Sequence, residues 1–141
     1  MSFVVFTVEG PPQGKGRPRF RRAGNFVTTY TDQKTKTYEA TIKAWAQRAM
    51  GSARPLEGPV SVDLYIRMGV PASTSKKRTE ACLQNEELPT KKPDIDNIIK
   101  AYLDAMNGIV YKDDTQVVRL SAKKVYSSVA GVDVCIREEI L

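Results

Sequence analysis

The residues best suited to chemistry lie in one stretch, KKPDIDNIIKAYLDAMNGIVYKDDTQVV, which holds Asp94, Asp96, Lys100, Asp104 and the pair Asp113-Asp114. Asp96, Lys100, Asp104 and Asn107 follow at i, i+4, i+8 and i+11, a spacing that puts them on one face of a helix. Ile98, Ile99, Tyr102, Leu103 and Met106 mark the opposite, core-facing stripe. Asp114 follows Gly108 in a turn leading to the next strand. If that strand packs beside the helix, Asp114 is returned toward the helix's N-terminal end. Carboxylates gathered at neutral pH repel one another unless one is protonated or a divalent cation sits between them. The chain contains no histidine. Its ligands are therefore all oxygen, which favours Mg²⁺, with Mn²⁺ as a substitute. A bound ion of that kind polarises a phosphoryl oxygen and lowers the pKa of a water. Lys100, one turn on from Asp96, is spaced to neutralise charge building on a pentacovalent phosphate.

Each of these residues also has a plainer use. Asp94 suits a helix N-cap, and two carboxylates at a helix N-terminus suit the macrodipole without any metal. Asp96, Lys100 and Asp104 fit a surface ladder of i, i+4 ion pairs. Asp113 and Asp114 fit an ordinary turn. Spacing alone leaves both sets of readings open.

A second chemical feature is the arm GPPQGKGRPRFRRAGNF. It carries Lys15, Arg17, Arg19, Arg21 and Arg22 with no acid among them. Its glycines and prolines exclude a helix and predict a loop or an irregular edge ribbon. A solvated charge run is the bland reading. The interleaving of Arg and Lys with Gly, Pro and Phe20 instead gives close backbone approach and an aromatic able to stack or wedge. With 22 Lys and Arg against 16 Asp and Glu, the net charge is +6. A basic surface favours a polyanionic partner, bound more weakly as salt rises, but many basic proteins bind none, so charge alone does not decide it.

The lack of histidine also excludes His-containing triads and His–metal fingers. Cys82 and Cys135 stand far apart, without the spacing of a zinc site or a disulfide framework. There is no apolar run long enough to span a membrane. The opening MSFVVFTVEG reads as a strand instead of a signal peptide, so the expected compartment is the cytoplasm.

The elements that must position these groups are readable by period. A short strand over 3–8 ends at Gly10-Pro11-Pro12. Thr31 or Asp32 caps a helix running to about Met50, stopped by Gly51, with Tyr38, Ile42, Trp45 and Ala49 as its buried stripe. PVSVDLYIRM alternates as a half-buried strand. Residues 69–92 are weakly patterned; SKKRTEACLQ offers a short helix, and a lid, a dimer arm or an insertion all fit. A second helix runs from Asp94 to Asn107, and strands follow at about 116–126 and 132–138. At 141 residues this order makes one small α+β domain, a mixed β-sheet with two main helices.

Taken together, KPDIDN, Lys100, Asp104 and the KDDTQVV segment resemble the signature of the RusA-type Holliday junction resolvases, endodeoxyribonucleases common in phages and prophages. PPQGKGRPRF resembles the opening of one branch of that family. The likeness spans nearly the whole chain, most weakly over 69–88. It implies a RusA-like fold in a homodimer, making paired symmetric nicks in a four-way DNA junction for recombination and repair. It also implies Asp94, Asp96 and Asp114 as metal ligands and Lys100 as the catalytic lysine, with phosphate contacts from Lys15, Arg17, Arg19, Arg21 and Lys124. The segment around Lys76, Lys77 and Arg78 departs from shorter members. Two rival functions stay open: a non-catalytic branched-DNA binder, predicting metal-independent binding, and a metal-dependent hydrolase of free nucleotides, needing a closed pocket.

Overall fold

Strands form where only one face of a segment is apolar, because side chains alternate across the pleat. Helices form where apolar residues recur at three and four. In chain order the computed structural model runs β1 (Phe3–Glu9), β2 (Arg19–Ala23), β3 (Phe26–Tyr30), α1 (Gln33–Met50), β4 (Val60–Gly69), α2 (Lys76–Leu83), α3 (Ile95–Met106), a 3₁₀ turn (Asp114–Gln116), β5 (Val117–Ser127) and β6 (Gly131–Glu138). It describes residues 3–16, 19–30 and 32–139, with Arg19 by its backbone alone.

The four longer strands make one sheet in the order β1-β6-β4-β5. β1 and β4 flank β6 antiparallel, whereas β4 and β5 run parallel. The parallel pair requires a long crossover, and that crossover carries both α2 and α3. The inner face turns Phe6, Val8, Val62, Leu64, Ile66, Val134 and Ile136 onto α1 and α3, and all are buried. This is the expected α+β domain with a mixed sheet. Helix α2 adds a third, shorter helix within 69–92; Ser75 caps it, and it packs on β5. No helix among the described residues is long and apolar enough to cross a membrane.

One helix expectation is settled between its two alternatives, and another shifts. Asp32 is the cap of α1, accepting from the Thr35 N–H at 2.8 Å, while Thr31 lies outside the described residues. The buried line on α1 is Thr35, Tyr38, Ile42, Ala46 and Met50, so Trp45 and Ala49 do not belong to it. Trp45 is 38% exposed and carries Arg48 over its ring at 5.4 Å. At the α1–α3 contact a buried Tyr38–Tyr102 hydroxyl pair, 2.5 Å apart, satisfies two polar groups that burial would otherwise strand.

The arm departs most from expectation. Residues 19–30 form a regular antiparallel hairpin that neither joins the main sheet nor buries a described side chain.

A polar clasp locks the β1, β6 and β4 strands together. Arg67 grips Asp133 through two hydrogen bonds of 3.0 and 3.1 Å and donates to the Val129 carbonyl, and Thr7 donates to Asp133. Burial alone would raise the Asp133 pKa, but the bonds from Arg67 and Thr7 outweigh it and hold the carboxyl low. A depressed carboxylate stabilises the fold above its unfolded pKa of about 3.9 and loses that contribution as pH falls through the folded value. Asp133→Asn should therefore lower the melting temperature at neutral pH and flatten its fall below about pH 4. Thermal melts across that range check both.

Candidate active site and its groove

The N-terminus of α3 projects two carboxylates with no protein partner among the described residues. Asp94 occupies the N-cap position but makes no side-chain cap bond, and Asp96 lies in the first turn. Both are exposed and neither joins an ion pair with a described residue. Since an N-cap aspartate ordinarily accepts from the N2 or N3 amide, the uncommitted Asp94 carboxylate remains available to something outside the chain.

The segment entering α3 is held from the neighbouring sheet. Lys124 on β5 donates to the carbonyls of Lys91 at 2.7 Å and Pro93 at 2.9 Å. Those bonds fix where α3 begins, and thereby where Asp94 and Asp96 stand.

Asp114 is delivered by a different device. Asp113 caps the 3₁₀ turn, accepting from the Thr115 N–H at 3.1 Å, while Gln116 accepts from the Asp113 N–H at 2.9 Å. The Gln116 amide also donates to the carbonyls of Leu56 and Gly58, both at 2.8 Å, which ties the turn to the segment before β4. The two aspartates are thus distinguished: Asp113 caps the turn, and the Asp114 carboxyl takes no part in capping it. The Asp114 carboxyl titrates above its ordinary range, chiefly because of Asp113 beside it, with partial desolvation and Asp104 adding and Lys100 opposing. Asp113 is held low, first by the Thr115 amide. Gln116→Leu should leave two part-buried carbonyls without a donor, costing about 1–3 kcal/mol. Denaturant melts read that loss.

Lys100 follows one turn on from Asp96 and is within electrostatic range of Asp114. It also pairs with Asp104 at 3.6 Å. Among the described residues no three carboxylates or thiols stand close enough to grip one ion unaided. Mg²⁺ commonly keeps several waters and takes only one or two protein carboxylates, so the residues present still suit it. The uncommitted Asp94 and Asp96 oxygens, and the crowding by Asp113 and Asp104 that raises the Asp114 pKa, are the observations that make the fit.

Glu39 is a residue that sequence reasoning does not single out. Lys15 reaches its Oε1 at 2.9 Å and the Asp104 Oδ2 at 2.7 Å, joining the arm's base to α1 and α3. Burial alone would lower the Lys15 pKa, but the Asp104 and Glu39 carboxylates outweigh it and the net shift is upward. The backbone follows the same path: the Lys15 N–H donates to the Asn97 carbonyl at 2.9 Å, and the Gly16 N–H to Thr35 Oγ1 at 3.0 Å. A Cβ on Gly14 would lie 2.7 Å from the Asn97 Cβ, and one on Gly16 would lie 2.7 Å from Asp32 Oδ2. Close approach of the chain to both helix N-termini is what the Gly-Lys-Gly spacing serves. Between them opens a groove of about 560 Å³, bordered by Gln13, Lys34, Lys92, Asp94 and Asn97.

Of the basic residues expected on DNA, Lys15 and Lys124 are engaged within the fold as described, each with one ammonium hydrogen to spare. Arg21 is exposed on the hairpin, 5.1 Å from the Tyr30 ring centroid. Arg17 and the Arg19 side chain lie outside the described residues.

Uncommitted carboxylates at the start of α3, one of them beside a groove, thus stand on a basic α+β domain. The chain belongs to the RusA endodeoxyribonuclease family: the family described as Endodeoxyribonuclease RusA matches residues 9–137. It is also similar to the Uncharacterized protein YqaN of Bacillus subtilis (strain 168), at 38% identity over 143 residues, covering 98% of each chain.

Proposed function

We propose that this chain is a Mg²⁺-dependent endonuclease that resolves four-way DNA junctions by paired symmetric nicks, acting as a homodimer. The observation that carries the reading is the pair of uncommitted carboxylates at the start of α3, Asp94 bordering a groove and Asp96 two residues on, in a RusA-family chain. Asp94, Asp96 and Asp114 are the proposed metal-binding carboxylates, supplying one or two direct ligands while waters complete the ion's shell. A divalent ion bound there would polarise the scissile phosphoryl group and supply an ionised water at neutral pH. The chain's own residues do the rest. Lys100 stabilises the charge that builds on the phosphate in the transition state. Lys124 orients the acids by fixing the start of α3, and Lys15 holds the arm's base against it. Arg17, Arg19 and Arg21 bind flanking phosphates, with the spare hydrogens of Lys15 and Lys124 adding to them. A two-fold junction calls for two equivalent cutters, and one acidic constellation per chain calls for two chains.

Incubating an end-labelled synthetic four-way junction with Mg²⁺ or with EDTA tests this. Symmetric nicks bearing 5′-phosphate and 3′-hydroxyl ends are expected with Mg²⁺ alone. Binding that persists in both buffers without scission would identify a non-catalytic junction binder. Turnover of free nucleotides beside an untouched junction would identify the nucleotide hydrolase.

A further inference from the structure

We propose that the β2–β3 hairpin is a wedge that opens the base stack at a DNA branch point. Phe26 and Val27 would enter the gap, while Arg21 and Arg22 hold phosphates on its two sides. The proposal rests on the reading of the chain as a branched-DNA nuclease.

Cross-strand pairing decides what each face of the ribbon carries. Partners Arg21↔Thr28 and Ala23↔Phe26 share one face, while Phe20↔Thr29 and Arg22↔Val27 share the other. Each face therefore bears an arginine and a large apolar side chain. At the tip, Gly24 and Asn25 form a two-residue turn in which Gly24 has a φ of +62°, which keeps the end narrow. Phe26 just behind it is 76% exposed, Val27 65% and Phe20 73%. A two-stranded ribbon with neither face covered is marginal in water, so this one is shaped for an occupant that surrounds it. Its sign is set by charge: between Glu9 and Asp32 the sequence holds Lys15, Arg17, Arg19, Arg21 and Arg22 and no acid. An apolar protein partner would not call for that many cations. Nucleic acid does, and it admits both a β-ribbon in a groove and an apolar wedge between base steps.

The test uses the full-length protein and a four-way junction with 2-aminopurine at the branch point, in EDTA so that cutting is held off. Binding should raise the fluorescence of the unstacked base, and a continuous duplex carrying the same probe should show no rise. A Phe26→Ala/Val27→Ala variant should bind about 5- to 150-fold more weakly and, at saturation, give no rise. With Mg²⁺, that variant should regain cutting on a junction whose core is already unpaired. A full rise from the saturated variant would overturn the wedge and leave the nuclease reading standing. So would a protein dimer that the variant loses while its fluorescence is unchanged, since the ribbon would then belong to a second copy. Failure of the unaltered protein to bind the junction at all would instead overturn the reading beneath it.

Discussion

Asp96→Asn is expected to lower junction cutting by at least about 10²- to 10³-fold, the size of losing one well-placed electrostatic contact in a transition state. Folding should be unaffected, because Asp96 is exposed with no ion pair to a described residue and surface changes of this kind stay within about 0.5 kcal/mol. Binding should survive or tighten, since a negative charge facing phosphate has been removed. Single-turnover cutting with Mg²⁺, paired with gel shifts in EDTA, separates the two effects. Asp104→Asn is the informative control: Asp104 is held by Lys15 and Lys100, so that change should cost stability more than chemistry. Were the Asp96 variant to cut at the parental rate, the site would have to lie elsewhere.

The second large effect concerns Lys15. Replacing it with Met leaves Glu39 and Asp104 facing each other without the cation between them. Breaking a fully buried ion pair costs about 3–5 kcal/mol; these side chains are 17–27% exposed, so about 2 kcal/mol is expected. In a domain of this size that lowers the melting temperature by roughly 5–10 °C. A Lys15→Met/Glu39→Gln double variant should recover part of the loss, because the surplus charge is gone. The pH dependence has a definite sign. A lysine whose pKa is raised on folding contributes fully below its unfolded value of about 10.4, and the contribution fades as pH rises through the folded value. The gap between parental protein and variant should therefore persist at neutral pH and close in strong alkali. A constant gap from pH 7 to 12 would show that packing, not charge, accounts for the loss.

Most of the fold was legible because periodicity dominates it. The alternation in β4, the cap and stop of α1, and the spacing of α3 each follow from one-dimensional pattern. The misplaced stripe on α1 shows where pattern runs out. Tyr38 and Ile42 fit two buried lines, one continuing through Trp45 and Ala49, the other through Ala46 and Met50. A large ring attracts the first reading, yet the buried line steps by four residues, and small Ala46 lies fully buried on it. The hairpin was hidden for another reason. Its strands alternate, but neither face is apolar enough to stand out from a charged loop.

The site was legible as residue types and not as geometry. Asp94, Asp96 and Lys100 share a helix, so their spacing could be read directly. Lys15 and Asp104 are 89 residues apart, and Glu39 looks like any helix-surface acid, so no local signal links the three. The D-D-x-Q run conveyed a turn but not its division of labour, because only the bonds of Asp113 to Thr115 and Gln116 reveal which aspartate is structural.

The parallel pairing of β4 with β5 places every proposed ligand on a single excursion of the chain, out from one strand and back to its neighbour. The return end is anchored twice, by Gln116 and by the grip of Lys124 just ahead of α3, whereas the outbound part through α2 has no share in either anchor. Extra length in such a stretch is cheap, about 0.6 kcal/mol for each doubling. Evolution can thus lengthen, trim or redecorate the α2 region while the proposed ligands stay in register.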